Sequence, residues 1–307
     1  MANYDIIIVG SGLAGLTAGL FSARQGLATL VMESNIPGGH LISIEKIEDF
    51  PGFPDGVSGY ELCPNLQRQA SDHGAQFQRA EVLRLEAQEN FWSVVTEEEQ
   101  HRAKAVIVAT GSTLKHLGVS GEEKLMGRGV SHCASCDGPL YNGQTVGVVG
   151  GGDSALQEAL TLTNYAERVL LFHNGENFVA QQTYLQRVLN NSKIAPRNRT
   201  VIEEICGDEV VTGVRLRDLA SGEVSQVELA GIFVYVGLQP NTAILRKLVK
   251  LSDTGHVQTD VSMRTERPGL YAAGDIRQDS ATQAITSAGD GATAAIAAYH
   301  YIRETFR

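Results

Sequence analysis

Two cysteines three positions apart, Cys133 and Cys136, are the residues of this chain best suited to redox chemistry. When the first turn of a helix brings two such thiols together, they can close a small-ring disulfide, and such pairs often have a lowered thiol pKa. Asp137 follows directly, and its carboxylate could exchange a proton with a thiol or a reduced cofactor. The segment therefore predicts a dithiol/disulfide couple with an acid–base group beside it.

The same cysteine spacing also fits half of a zinc site. Zinc would need two further ligands, but Cys63 and Cys206 stand alone and no His-x3-His pair accompanies them. Two inert, buried cysteines are the remaining interpretation. The spacing favours the redox dithiol, and we expect no metal.

A dinucleotide-binding motif lies at the start of the chain. Residues 5–9 form a short β-branched run, the segment 10–15 reads Gly-x-Gly-x-x-Gly, and a helical pattern follows over 16–25. The first glycine permits a tight turn, the second lets a pyrophosphate approach the backbone, and the third lets helix and strand pack closely. The helix N-terminus favours the phosphate charge. The residues assigned to this cradle are Gly10, Gly12, Ala14 and Gly15.

Glu33 follows the next predicted strand, residues 28–32. A carboxylate at this position accepts hydrogen bonds from a ribose diol and rejects a 2′-phosphate. The first site therefore fits FAD or NAD, and does not fit NADP.

A second cradle of the form Gly-x-Gly-x-x-Ala spans residues 150–155, between a predicted strand (145–149) and a predicted helix (156–164). The following strand, 168–172, leads into His173-Asn174-Gly175-Glu176. A site for NADPH should present arginines there to pair with the 2′-phosphate, and it presents none. The residues assigned to this possible nucleotide site are Gly150, Gly152, Asp153 and Ser154.

Three further segments could contact a cofactor. Loops rich in glycine and proline cover 37–41 and 48–54, and a strand over 103–109 ends in Thr110-Gly111. Near the end of the chain a buried strand delivers Asp275 ahead of a long helix of small residues. From the sequence, Asp275 is either a ligand for a polar cofactor chain or a helix cap.

Composition limits the class of protein. The chain has 307 residues, enough for two domains, and is 43% hydrophobic and 20% charged, as is normal for a globular protein. Its net charge of −10 and lack of basic runs make nucleic acid and anionic membranes poor partners. No apolar stretch reaches the length of a bilayer span. No signal-peptide pattern is present, so we expect a cytoplasmic protein.

Taken together, these motifs resemble the low-molecular-weight thioredoxin reductases, and the resemblance spans essentially the whole chain. Its most specific element is Cys133–Gly138, placed just ahead of the second cradle, since glutathione reductase-like relatives carry the redox pair in their first domain. The segments that carry the resemblance are 10–15, 37–39, 49–52, 109–111, 133–138, 150–155 and 272–275.

The resemblance implies an α/β fold with two Rossmann-like, three-layer ββα dinucleotide-binding domains. A discontinuous FAD domain would comprise residues 1–113 and 239–307. A pyridine-nucleotide-type domain carrying the Cys-x-x-Cys would be inserted at 114–238. The resemblance also implies a homodimer, with thioredoxin or a similar protein disulfide as the partner.

Individual roles also follow from the resemblance. Cys136 would face the flavin, Cys133 would exchange with the protein disulfide, and Asp137 would donate a proton. Asp275 would bind the ribitol chain, and the backbone at Gln283-Ala284 would approach the isoalloxazine. The other residues assigned to FAD in this way are Gly39, His40, Leu41, Asp49, Thr110, Gly111, Gly274 and Ile285.

The chain departs from the family at two places. The family's His-Arg-Arg-x-x-x-Arg signature falls on His173, Asn174, Gly175 and Val179, so that only its histidine is kept. Each lost charge-assisted bond is worth roughly 1.5–3 kcal/mol. We therefore expect weak or absent NADPH use, with NADH, ferredoxin or another donor instead. Thr282 replaces an arginine ahead of Gln283, which should alter contacts to the flavin or nicotinamide.

Three functions are compatible with these observations. The first is a thioredoxin reductase-like enzyme with an altered electron donor. The second is an FAD-dependent dithiol oxidase that forms disulfides in a small molecule, with oxygen as the acceptor; an enclosed apolar pocket at Cys133 would favour it. The third is a flavin-binding module without turnover, against which the retained cysteines and Asp137 argue.

Overall fold

The computed structural model describes residues 2–306 and divides into two compact units, 1–113 with 239–307, and 114–238. Met1 and Arg307, the outermost residues of the predicted FAD domain, lie outside the described residues. No helix within 2–306 is long and apolar enough to cross a membrane.

Both units contain strands and helices. The strands are β1 (Asn3–Val9), β2 (Thr29–Glu33), β3 (Gln76–Arg79), β4 (Arg84–Ala87), β5 (Trp92–Val95), β6 (Gln100–Val108), β7 (Ser112–Leu114), β8 (Val130–Ser131), β9 (Thr145–Val149), β10 (Arg168–Phe172), β11 (Ile194–Arg197), β12 (Thr200–Cys206), β13 (Gly213–Asp218), β14 (Val224–Glu228), β15 (Gly231–Val234), β16 (Leu238–Pro240) and β17 (Leu270–Ala272). The α-helices are α1 (Leu13–Arg24), α2 (Gly59–Asp72), α3 (Ala134–Asp137), α4 (Asp153–Leu162), α5 (Gln182–Leu189) and α6 (Ala284–Thr305). Short 3₁₀ helices cover Gly39–Ser43, Gly138–Tyr141, Ala243–Leu245 and Gly274–Ile276.

The discontinuous unit is organised around a mainly parallel sheet in the order β3-β2-β1-β6. The far edge of β6 is shared, because β5 pairs antiparallel with its first half and β17 pairs parallel with its second half. Val9 lies opposite Met32 and Val108, and Ala272 also lies opposite Val108. The segments that follow β1, β2, β6 and β17 therefore meet at one edge, where ligands bind in open parallel sheets.

Burial explains the strand and helix contacts of this unit. Ile6, Ile7 and Ile8 are fully buried, as expected for a strand covered on both faces. Helix α6 crosses α1 so closely that a Cβ added at Gly291 would lie 2.0 Å from the carbonyl oxygen of Ala14. The small residues of α6 permit this approach.

The inserted unit contains a parallel sheet in the order β11-β10-β9-β15-β8 and an antiparallel sheet of β12, β13 and β14. Val149 lies opposite Phe172 and Val234. The segments that follow β9, β10 and β15 consequently share one edge, and this edge carries the second glycine loop.

Candidate functional site

A disulfide joins Cys133 and Cys136, with their Cα atoms 5.3 Å apart. Cys133 is the N-cap of α3, and its Sγ accepts a hydrogen bond from the Cys136 amide at 3.2 Å. The Cys133 amide donates in turn to Ser131 Oγ at 3.0 Å. The helical turn expected from the spacing therefore forms, and it places one amide donor, that of Cys136, at the sulfur of Cys133.

The two cysteines differ in exposure, since Cys136 is exposed and Cys133 is half-buried. Ser135 Oγ lies 3.4 Å from the sulfur of Cys133. Asp137 is half-buried and close enough to Tyr141 that, after burial of the ring, its charge contributes to raising the pKa of that phenol. The predicted dithiol and acid are thus brought together on one turn.

Glu158 of α4 lies behind this turn and was missed from the sequence. One of its carboxylate oxygens accepts hydrogen bonds from the Ala134 amide at 3.0 Å and from the Tyr235 hydroxyl at 3.2 Å. Burial and the nearby carboxylates of Glu158 and Asp137 raise the pKa of Tyr235. The available signal was helical spacing, because an acid three residues after the buried Ala155 falls on the apolar face of α4.

The first glycine loop has the geometry that its motif requires. Gly10 has φ +100°, and a Cβ added to it would lie 2.3 Å from the Ala109 carbonyl oxygen. A Cβ at Gly15 would lie 1.9 Å from the carbonyl oxygen of Gly10, whereas one at Gly12 would meet nothing within 4 Å. The loop is closed towards the protein and open at the position where a pyrophosphate is expected to approach.

Glu33 lies at the mouth of this loop, as predicted. Its carboxylate accepts hydrogen bonds from the amide and hydroxyl of Ser11, both at 2.9 Å, and from the Asn35 amide at 3.0 Å. These local donors fix the orientation of an acid that stays half-exposed at the edge of the sheet.

Asp275 is held on the other side of the same edge. It accepts hydrogen bonds from Ser287 Oγ at 3.1 Å and from Ser112 Oγ at 3.5 Å, and burial raises its pKa. The alternative that Asp275 caps the long helix is wrong, because Gln283 is the N-cap of α6 and forms a capping box with Thr286.

An ion pair that the sequence did not indicate holds this acid loop in place. Asp290, 7% exposed, accepts the Gly274 amide at 3.1 Å and binds Arg277 through both oxygens, at 2.9 and 3.1 Å. A bidentate, nearly buried pair of this kind fixes geometry more firmly than a surface pair. The only sequence signal was one acid among the small residues of α6.

The remaining residues assigned to FAD lie in segments that border this edge. Gly39 is close to the first loop, with its added Cβ 3.3 Å from Gly12 Cα. The Nε2 of His40 donates to the Ser112 carbonyl at 2.7 Å. Thr110 Oγ1 donates to the Asn241 carbonyl at 2.7 Å, which anchors the turn that continues into Gly111. Leu41 is half-buried, Asp49 is exposed, and Ala284 and Ile285 form the first turn of α6.

Thr282, the residue in place of the family's arginine, has an unusual backbone. Its φ is +52°, and a β-branched residue rarely adopts this left-handed conformation. It directly precedes the capping residue Gln283, so the strained position lies at the entrance to α6.

These observations fit FAD in the discontinuous unit. The open face above Gly12 suits a pyrophosphate, the oriented carboxylate of Glu33 suits a ribose diol, and the half-buried Asp275 suits a polyol chain. The three lie at the carboxyl ends of parallel strands, as dinucleotide sites do.

The second glycine loop is similar in backbone and different at its mouth. Gly150 has φ +146°, and its added Cβ would lie 2.3 Å from the Tyr235 carbonyl oxygen. The imidazole of His173 lies against Gly151, where an added Cβ would be 2.3 Å from the ring. Asp153, at the start of α4, accepts the Gln181 amide at 2.7 Å.

The segment after β10 holds the residues that would distinguish NADH from NADPH. His173 Nε2 donates to the Asn177 carbonyl at 3.0 Å, and its ring stacks on Phe178. Asn174 and Val179, which replace arginines of the family signature, are exposed. The turn between β11 and β12 supplies Arg199, which the sequence did not place here; it forms an ion pair with Glu176.

Comparison with known proteins gives a consistent result. The family model for pyridine nucleotide-disulphide oxidoreductases matches residues 4–291. A thioredoxin reductase of Mycolicibacterium smegmatis is 42% identical over 98% of this chain and 97% of its own. That of Treponema pallidum is 39% identical over the same shares of both chains. The crystal structure of Lactococcus lactis thioredoxin reductase superposes with a TM-score of 0.96 at 37% identity, covering 98% of this chain and 99% of that one. The predicted α/β fold of two Rossmann-like domains is confirmed.

Proposed function

The chain belongs to the pyridine nucleotide-disulphide oxidoreductase family and, within it, to the low-molecular-weight thioredoxin reductases; from this membership we propose that it reduces thioredoxin, or a thioredoxin-like protein disulfide, through Cys133 and Cys136. It is a flavin-dependent disulfide oxidoreductase. We propose the electron donor, the disulfide partner and the roles of the individual residues.

Bound FAD would supply a two-electron carrier between the donor and the disulfide. In the proposal, the backbone amides of Gly12–Gly15 bind the pyrophosphate of FAD, and the Glu33 carboxylate binds its ribose diol. Asp275, held by Ser112 and Ser287, receives the ribitol hydroxyls. The Asp290–Arg277 pair keeps the Gly274–Asp275 turn in position.

The cysteines carry the exchange steps. Two electrons and two protons convert the Cys133–Cys136 disulfide into a dithiol. The Cys133 thiolate then attacks the partner disulfide, forming a mixed disulfide while the partner's leaving sulfur takes a proton, which we assign to Asp137. The Cys136 thiolate attacks the sulfur of Cys133, releases the partner's second thiol, and restores the starting disulfide.

The observation that carries this proposal is the disulfide on a partly exposed turn, with an amide donor at the sulfur of Cys133. The Cys136 amide, 3.2 Å from Cys133 Sγ, is placed to stabilise the attacking thiolate. The test uses the flavin-loaded protein reduced with dithionite under anaerobic conditions and mixed with oxidised thioredoxin. Wild type should release four thioredoxin thiols per chain, because the dithiol and the reduced flavin each hold two electrons; Cys133→Ser should release none, and Cys136→Ser should trap a mixed disulfide. Release of thiols by Cys133→Ser would overturn the assignment.

For the electron donor, we propose that NADPH is used weakly or not at all, and that NADH or another donor such as ferredoxin serves in its place. The support is the exposed Asn174 and Val179 at positions where the family has arginines. Arg199, the nearby cation, is paired with Glu176. A 2′-phosphate at this position would therefore lack the family's set of guanidinium donors.

An enclosed apolar pocket at Cys133 would favour the dithiol oxidase alternative. The open groove of about 710 Å³ in the inserted unit, lined by Arg128, Tyr141, Val211 and Leu229 among others, does not include either cysteine. We place reduction of a protein disulfide first because the full-length relatives are thioredoxin reductases. A homodimer is proposed from family membership, to be checked by light scattering, and a cytoplasmic location stays a prediction.

A further inference from the structure

We propose that Glu158, held by Tyr235, is a positioning residue that keeps the Cys133–Cys136 couple strongly reducing by maintaining a negative charge beside Cys133. The inference rests on the proposed redox role of this disulfide and concerns its equilibrium rather than its partner.

Two donors from different elements fix the carboxylate. The Ala134 amide, the first N–H after Cys133, donates to it at 3.0 Å, and the Tyr235 hydroxyl donates to the same oxygen at 3.2 Å. Ala134 is fully buried and Tyr235 is 8% exposed. The contact therefore connects α4 and the end of β15 to the turn that carries the disulfide.

The surroundings of Glu158 on α4 are apolar. Ala155 and Leu162, one helical turn away on either side, and the adjacent Ala159 are buried at 0–1% exposure. A charge in such an environment acts more strongly on its neighbours than one in water. The Tyr235 hydroxyl is kept in its protonated form by burial first and by the Glu158 carboxylate next, so it stays a donor.

The charge has a definite effect on the redox equilibrium. Reduction breaks the S–S bond and adds two electrons and two protons, and the product is further stabilised whenever Cys133 loses its proton to become a thiolate. Glu158 opposes that thiolate by repulsion and also occupies the Ala134 N–H. The reduced form is therefore less stable than it would be without the carboxylate, and a dithiol of this kind passes its electrons on more readily.

Other titratable groups lie near the same turn, and they must be the same in wild type and variant. Asp137 lies on α3 itself, and Tyr141 follows on the adjoining 3₁₀ helix. His132 donates from Nδ1 to the Val234 carbonyl, and His116 packs edge-on against His132. A substitution at Glu158 alone leaves all four unchanged, so a difference from wild type reports on this carboxylate.

The experiment compares wild type with Glu158→Gln, which keeps an acceptor for the Ala134 amide and removes the charge. Each protein, chemically reduced in its flavin-loaded form, is alkylated with iodoacetamide from pH 5 to 9, and labelling of Cys133 is followed by peptide mass spectrometry. Equilibration with glutathione buffers then gives the fraction of Cys133–Cys136 disulfide. Neither measurement needs a nucleotide or thioredoxin, so failure of the proposed partner would not obscure the result.

We expect Glu158→Gln to shift the Cys133 alkylation profile to lower pH, with about tenfold more thiolate at a given pH. The glutathione equilibrium should move about tenfold towards the dithiol, which is about 30 mV for a two-electron couple. Tyr235→Phe should shift both in the same direction by less, and it serves as the second variant if Glu158→Gln does not fold. Glu167→Gln, an exposed charge change in the same unit, should change neither.

An unchanged profile in both Glu158→Gln and Tyr235→Phe would show that the contact only holds the fold together. A shift of equal size in Glu167→Gln would attribute the effect to net charge. Either result overturns the proposal.

Discussion

The two glycine loops of this protein share a backbone and differ in what stands at their mouths. Gly10 and Gly150 both have positive φ, and an added Cβ in either would lie 2.3 Å from the carbonyl oxygen of a neighbouring strand end. In the discontinuous unit, Ser11 donates twice to Glu33. In the inserted unit, the corresponding place holds the ring of His173 against Gly151.

The difference separates two requirements of a dinucleotide site. The glycines set a turn that brings backbone amides to a pyrophosphate, and both loops meet that requirement. The residue at the end of the next strand selects the ribose, and here one loop has the oriented carboxylate of Glu33 while the other has the imidazole of His173. In this chain, the same glycine turn is therefore combined with two different groups at the end of the next strand.

The largest effect should come from Gly15, the third glycine of the first motif. Gly15→Ala would place a Cβ 1.9 Å from a backbone oxygen and should weaken FAD binding by about 3 kcal/mol or more, because backbone cannot move aside cheaply. Flavin content and fluorescence titration measure this. The matched change in the other loop, Ala155→Gly, only removes a methyl group and should leave the flavin bound. Normal flavin affinity in Gly15→Ala would show that the first loop is not the FAD cradle.

A smaller effect is expected from restoring arginines at the mouth of the second glycine loop. The double variant Asn174→Arg with Val179→Arg should gain affinity for 2′,5′-ADP, at roughly 1.5–3 kcal/mol per charge-assisted bond. Both side chains are exposed, whereas a side chain at Gly175 would collide with His173, so these two positions are the better choice. Calorimetry with 2′,5′-ADP and 5′-AMP separates the phosphate contribution, and Asn190→Arg is an exposed control. An equal gain in affinity for both ligands would mean that the introduced arginines do not recognise the 2′-phosphate.

The smallest effect concerns Asp275, a half-buried acid that we expect to serve only the FAD site. Burial raises its pKa in the folded protein, so its contribution to stability is full below its unfolded pKa and is lost as pH rises through the folded pKa. Asp275→Asn should therefore stabilise the FAD-free protein at pH 7 by about 1 kcal/mol or less, with no gain below pH 3.8. The same variant should bind FAD more weakly. Urea unfolding of apoprotein at two pH values checks the sign, and a loss of stability at pH 7 would contradict it.

The sequence predicted those parts of the fold and site that depend on neighbouring residues. The strands Thr145–Val149 and Arg168–Phe172 end where the pattern of apolar residues ends, and both glycine loops have the predicted form. The helices α1 and α4 begin three residues earlier than expected, because each glycine turn leads directly into its helix. The Cys-x-x-Cys turn is likewise local.

What the sequence did not predict depends on contacts between distant residues. Glu158 and Tyr235 are 77 positions apart, and Thr110 and Asn241 are 131 apart. Arg199 reaches Glu176 only because β11 pairs with β10. No spacing rule connects such pairs, since tertiary packing alone brings them together.

Donor specificity is tested most directly by an anaerobic titration of the flavin-loaded protein with NADH and, separately, with NADPH, followed by the flavin absorbance. NADPH should bleach the flavin weakly or not at all, because Asn174 and Val179 offer a 2′-phosphate no charge, while NADH should bleach it at lower concentration if a nucleotide is the donor. Stoichiometric bleaching by NADPH at lower concentrations than NADH would contradict this expectation, and would show that other groups at the second loop, Arg199 first among them, bind the 2′-phosphate.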